Sequence, residues 1–170
     1  MSILLDTSVL VAAMVESHPA HARALPWLQR IQGGTETGLV AAHSLAELYA
    51  ILTTLPVRPH IPPIVARQLI QHNVVNRFKV VFLSDEDYVA VIDHLSDLGI
   101  VGGATYDALI LHAAAKANAD QVVTLNARDF HRVYPDLADR IISLDTASVL
   151  TVEQFHTFLL LALKNQASSL

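Results

Sequence analysis

Short apolar runs of strand length alternate along this chain with longer segments of helical period, and that alternation limits the fold more than any other feature. Ile3-Leu4-Leu5, Leu39-Val40-Ala41, Val80-Val81-Phe82-Leu83, Gln121-Val122-Val123-Thr124 and Ile141-Ile142 each read as a buried strand. Continuous apolar runs of this kind suit strands covered on both faces. The segments between them are long enough for crossover helices. The pattern predicts an α/β domain whose mostly parallel central sheet carries helices on both sides.

Helix signals fill the intervals. Asp6-Thr7-Ser8 opens a helix through about Val15, and Ser17 is placed to cap a second one, with Pro19 in its first turn. Pro26 is expected to kink or restart that helix, and Gly33-Gly34 to end it. Ser44-Leu45-Ala46-Glu47 has capping-box spacing and starts a helix that runs to Pro56. Pro62-Pro63 begins the next. Ser84 caps a helix with a core stripe of Tyr88, Val91, Ile92, Leu95 and Leu98. Gly102-Gly103 precedes a very apolar helix over roughly Thr105 to Ala117, and a short one spans Ala127 to Arg132. Thr151-Val152-Glu153-Gln154 is a second capping box, opening a C-terminal helix to about Lys164 with a wide apolar face. Residues 1–146 are read as one domain and 147–170 as a helical extension packed on it.

At 170 residues and 52% hydrophobic, the chain can bury a substantial core. It has no cysteine, which excludes disulfides and thiolate zinc sites. Its first apolar run lacks a basic leader and contains Asp6, so it reads as a strand and not as a signal peptide. No apolar stretch approaches the ~20 residues of a membrane span. A soluble, cytoplasmic protein with no membrane partner is expected. The net charge of −5 argues against coating nucleic acid by charge alone. It leaves room for a nuclease, because divalent cations can offset a local acidic cluster.

Such a cluster is what the acids suggest. Asp6, Glu47, Asp107 and Asp129 each sit at or near a helix start, and all but Asp107 come shortly after a strand. In an open parallel sheet the carboxyl ends of the strands face one crevice. Carboxylates gathered there repel one another unless a hard cation holds them. Each acid also has a local reading as a cap or first-turn residue: Glu47 as the partner of Ser44, Asp129 as that of Asn126, and Asp107 after Thr105. The set is more telling than its members, because Asp107 opens the most apolar helix in the chain, where an unpaired charge is costly. Asp85, Glu86, Asp87, Asp93 and Asp97, by contrast, crowd one surface helix.

The hydroxyls of Thr7, Ser8, Thr105 and Thr124 are placed to orient carboxylates or metal-bound water, although Ser and Thr also cap helices. Arg128 and Arg132 flank Asp129 as phosphate contacts. Asp145, in a second Leu-Asp-Thr, reads as a loop or cap residue, and His43 and His112 read as packed or solvated. No GxxxxGK[ST] run exists, and Ser8 breaks the Asp-x-Asp that a haloacid-dehalogenase-type phosphatase needs.

In this order, Leu4-Leu5-Asp6-Thr7-Ser8-Val9-Leu10, Ser44-Leu45-Ala46-Glu47-Leu48, Tyr106-Asp107-Ala108-Leu109-Ile110 and Val122 through Phe130 resemble the PIN-domain ribonucleases, most closely the VapC-type toxins of toxin–antitoxin pairs. The resemblance covers about residues 3 to 145. It implies a three-layer α/β/α domain and Mg²⁺- or Mn²⁺-dependent endonucleolytic cleavage of RNA. It also implies metal ligation by Asp6, Glu47, Asp107 and Asp129, a homodimer and an antitoxin partner. Some members carry Asp where this chain has Asn126, so Asp129 is taken as the fourth acid and Asn126 as a neutral support. The alternative from another class is a catalytically inactive PIN-like regulatory or protein-interaction module.

Overall fold

The computed structural model describes residues 1–145. Its elements are β1 (Ser2–Leu5), α1 (Thr7–Met14), α2 (His21–Gln32), β2 (Thr37–Ala41), α3 (Ala42–Thr54), α4 (Pro63–Ile70), β3 (Phe78–Val81), α5 (Asp85–Asp97), α6 (Ala104–Lys116), β4 (Gln121–Thr124), α7 (Ala127–Val133) and β5 (Ile141–Ser143). A π-helical turn, Gln71–Val75, extends α4, and a 3-10 helix, Pro135–Arg140, leads into β5. The expected helix from Thr151 and the boundary at 146/147 lie outside the described residues.

All five strands are parallel, in the order β3-β2-β1-β4-β5. Side chains alternate across a strand, and β1 uses both faces. Ile3 and Leu5 enter a core with α1, α2, α3 and α4, while Leu4 enters a second core with α5, α6 and α7. The result is a three-layer α/β/α sandwich, as the alternation of elements requires. From β1 the chain moves outward to β2 and β3, then returns to place β4 on the other side of β1. The carboxyl end of β1 is therefore the point where the strand order reverses, the usual place for a crevice.

Several local expectations shift. Helix α2 starts at His21, so Ser17 does not cap it and Pro19 lies in the preceding turn, while the helix continues through Pro26. Strand β3 begins at Phe78, fixed by pairing Gly38 with Phe78, and it ends before Phe82, which is exposed. Ser84 does cap α5 as expected, and Asp87, not assigned to the cap from sequence, completes a capping box with it. Of the expected α5 stripe, only Val91 and Leu95 are buried, and Tyr88, Ile92 and Leu98 are exposed. Helix α5 lies at the margin of its layer against α6, so an i, i+4 pair is enough to seat it.

Helix α2 lies close to the sheet because Gly38 has no side chain. A Cβ there would come within 2.5 Å of Ile31 Cγ2 and 2.7 Å of Phe78 Cδ1. Gly38→Ala is expected to lower the unfolding free energy by about 1–3 kcal/mol through overpacking. A urea titration would measure this as a lower midpoint with unchanged slope.

Candidate active site

Asp6 is the residue directly after β1, and it is buried at the carboxyl end of the central strand. Its backbone carbonyl accepts from Val9 N and Leu10 N, which starts α1. Its side chain is held separately. Ser8 Oγ and Thr124 Oγ both donate to Asp6 Oδ2, at 2.5 Å and 2.8 Å. Thr124, the last residue of β4, is fully buried, and its Oγ also accepts from Asn126 N at 2.9 Å. Ser8 Oγ in turn accepts from Leu125 N at 3.3 Å. The carboxylate is thus fixed from the first turn of α1 and from the end of β4.

Glu47 comes from the next element over. Helix α3 starts at Ala42, immediately after β2, so Ser44 and Glu47 are its third and sixth residues and form no capping box. The helix starts early because no loop residue separates β2 from α3. Freed from capping, Glu47 Oε2 accepts from Thr7 Oγ1 at 2.7 Å, which ties α3 to the start of α1.

Asp107 lies in the first turn of α6, and Asn126 Nδ2 donates to its Oδ2 at 3.2 Å. Asn126 thereby supports a carboxylate. Asp129, in the first turn of α7, does not reach back to cap Asn126; it pairs with Arg132 at 3.6 Å. Arg132 and Arg128 are exposed beside it.

Electrostatics brings the four acids into one neighbourhood. Burial raises the Asp6 carboxyl above its ordinary range; the hydroxyls of Ser8 and Thr124 oppose that rise and the charge of Glu47 adds to it. Asp107 is pushed up to about 8, first by burial and then by the charges of Asp6, Asp129 and Glu47, with Arg132 opposing. Among the described residues, only Asp129 of the four has an ion pair. No three His, Asp or Glu side chains there are already drawn together into a ready-made ligand set. The donor chemistry nevertheless fits a hard divalent cation: four carboxylates, no thiol, and two acids whose protons a cation would displace.

Other expected residues lie elsewhere. Thr105 Oγ1 donates to the Gly102 carbonyl at 2.9 Å, so this hydroxyl serves the local turn and does not orient Asp107. Asp145 Oδ2 accepts from Ala127 N at 3.3 Å, acting as a cap for α7. His112 pairs with Asp87 at 3.1 Å and meets Tyr134 Oη at 3.3 Å, on the helix layer formed by α5, α6 and α7. His43, in the first turn of α3, is kept toward its neutral form by burial, against a backbone hydrogen bond with Tyr106.

The raised Asp107 pKa has a thermodynamic consequence. The folded state holds that proton more tightly than the unfolded chain does. The associated stability is complete below about pH 4 and is lost as pH rises toward 8. In EDTA, the thermal midpoint is expected to fall between about pH 5 and about pH 8.5. Asp107→Asn, neutral throughout, should reduce that slope in a calorimetric pH series.

Comparison with known proteins agrees with this geometry. A family model described as the PIN domain matches residues 3–135. Ribonuclease VapC27 of Mycobacterium tuberculosis (strain ATCC 25618 / H37Rv) is 33% identical over 127 residues, covering 74% of this chain and 85% of the relative. Ribonuclease VapC40 of the CDC 1551 / Oshkosh strain is 34% identical over 114 residues, covering 67% and 79%. Among solved structures, VapBC2 from Rickettsia felis, bound to a DNA fragment from its promoter, superposes with a TM-score of 0.56 at 21% identity. That superposition covers 78% of this chain and 92% of the other.

Proposed function

This chain belongs to the PIN-domain family, and from that premise we propose that it is a metal-dependent endoribonuclease, the toxin of a toxin–antitoxin pair acting in the cytoplasm. The observation that carries the reading is the gathering of Asp6, Glu47, Asp107 and Asp129 around the end of β1, where burial and neighbouring acids raise the carboxyls of Asp6 and Asp107. Carboxyls raised by burial and like charge in a crevice are candidates for functional sites. The two curated relatives, both named ribonucleases, supply the substrate class.

In this reading Asp6 and Asp107 hold Mg²⁺ or Mn²⁺, and Glu47 and Asp129 complete the set. When bound, the cation lowers the pKa of water and offsets the charge that develops on the phosphate. The chain's own residues do the rest. Ser8 and Thr124 fix Asp6 in one orientation, Thr7 does the same for Glu47, and Asn126 holds Asp107. Arg128 and Arg132, exposed at the rim, meet RNA phosphates, which compensates for a chain of net charge −5.

Two protein partners belong to the same proposal: a second copy forming a homodimer, and an antitoxin. The exposed apolar strip of Tyr88, Val89 and Ile92 on α5, with Tyr106 lining the same surface depression as Tyr88 and Ile92, supports assembly with another protein. Among the described residues no helix is long and apolar enough to cross a membrane.

Incubation of mixed single-stranded and structured RNAs with Mn²⁺, with and without EDTA, tests the proposal. Cleavage should require metal, and Asp6→Ala or Asp107→Ala should reduce it by at least ~100-fold. Asp145→Ala should retain cleavage and cost about 1 kcal/mol of stability as a lost cap. Activity that survives both of the first two substitutions would end the metal-site reading. Wild-type protein that neither binds Mn²⁺ nor cuts RNA would leave the interaction module in its place.

A further inference from the structure

The Ser44-x-x-Glu47 spacing looks like a capping box but does not serve as one, so the hydroxyl has no task in starting the helix. Ser44 is only 1% exposed, and its Oγ has no hydrogen-bond partner. This is unusual for a buried hydroxyl. A serine inside a helix normally donates back to a carbonyl one turn earlier. Ser44 does not, although Thr53 and Thr54 at the far end of the same helix do.

The geometry of a helix says where that hydroxyl can act. Residues i and i+3 are surface neighbours, and side chains tilt toward the helix N-terminus. The Glu47 side chain therefore leans back over the turn that holds Ser44. The Ser44 hydroxyl thus lies, buried and unpartnered, in the turn just before one acid of the cluster. Glu47 accepts a side-chain hydroxyl from Thr7 at one oxygen, Oε2.

We propose that Ser44 is a positioning residue for Glu47, its hydroxyl donating to the Glu47 carboxylate when the acid cluster holds a divalent cation. The inference rests on the metal-dependent reading above. Among the described residues, Thr7 is the one hydroxyl that donates to Glu47 in the structure, and Ser44 Oγ has no partner. With a cation bound, Thr7 and Ser44 together would hold the carboxylate between α1 and its own helix. Such supporting hydrogen bonds commonly affect metal affinity or activity by 10- to 100-fold.

Mn²⁺ titration by calorimetry on wild type, Ser44→Ala and Ser44→Thr provides the test, with thermal unfolding in EDTA run alongside. Ser44→Ala should weaken Mn²⁺ binding by roughly 10- to 100-fold. Its metal-free midpoint should stay unchanged or rise, because an unpaired buried hydroxyl is removed. Ser44→Thr should keep most of the wild-type affinity. RNA cleavage by Ser44→Ala should fall at fixed sub-saturating Mn²⁺ and recover as Mn²⁺ is raised. Unchanged Mn²⁺ affinity in Ser44→Ala would overturn the assignment, as would a loss of metal-free stability with affinity intact, which marks a purely structural serine. Wild-type protein that binds no Mn²⁺ would overturn both this inference and the metal-dependent reading beneath it.

Discussion

The pairing of β1 on both sides is the constraint on which the rest of this molecule depends. Parallel strands form no local hairpin, so β1 meets β2 and β4 only after the intervening helices are in place. Once that happens, the backbone N–H of Asp6 reaches the Val123 carbonyl at 3.0 Å, carrying the β1–β4 ladder one residue past the strand. The side chain of Asp6 is then enclosed at the point where the strand order reverses. Its burial is a consequence of sheet order, and its raised pKa is a consequence of that burial. The acids on α3, α6 and α7 are brought toward it because each of those helices begins at the same edge of the sheet.

This arrangement has an energetic cost that folding alone does not explain. Four carboxyl groups gathered at a buried position lower stability when they ionise without a counter-ion, and among the described residues only Asp129 of the four has an ion pair. A chain selected for stability alone would pair these acids or replace them with apolar residues. Their arrangement fits a site whose stability is completed by what it binds. The supporting hydroxyls have the same logic, because Ser8 and Thr124 both oppose the rise in the Asp6 pKa and help keep the carboxylate available for a cation.

Much of this was legible in the sequence, and for identifiable reasons. Short apolar runs located the strands to within about two residues, and Ser84 was rightly read as the cap of α5. Period and spacing misled where two structures share one pattern. Ser44 and Glu47 have the spacing of a cap, yet β2 passes into α3 without a loop, so the same spacing became one face of a helix. The α5 stripe failed because periodicity shows that a helix has an apolar face, not how much of that face a neighbour covers. Thr105 was grouped with Asp107 by proximity in sequence, but its hydroxyl was claimed by the Gly102 turn. The contact between Asn126 and Asp107 spans two elements, and no local pattern could have specified it.

Gly38 has an effect beyond the space it leaves. In a sheet, slipping a strand by one residue exchanges its inner and outer faces. Ile31 and the Phe78 ring close over Gly38 so tightly that only a residue without a side chain fits beneath them. A slip of β2 would put Thr37 or Leu39 into that gap, and neither would fit. The glycine works as a key for strand alignment: it makes the correct pairing with β1 and β3 the one that can close. Because α3 follows β2 without a break, the same key sets the height at which Glu47 arrives.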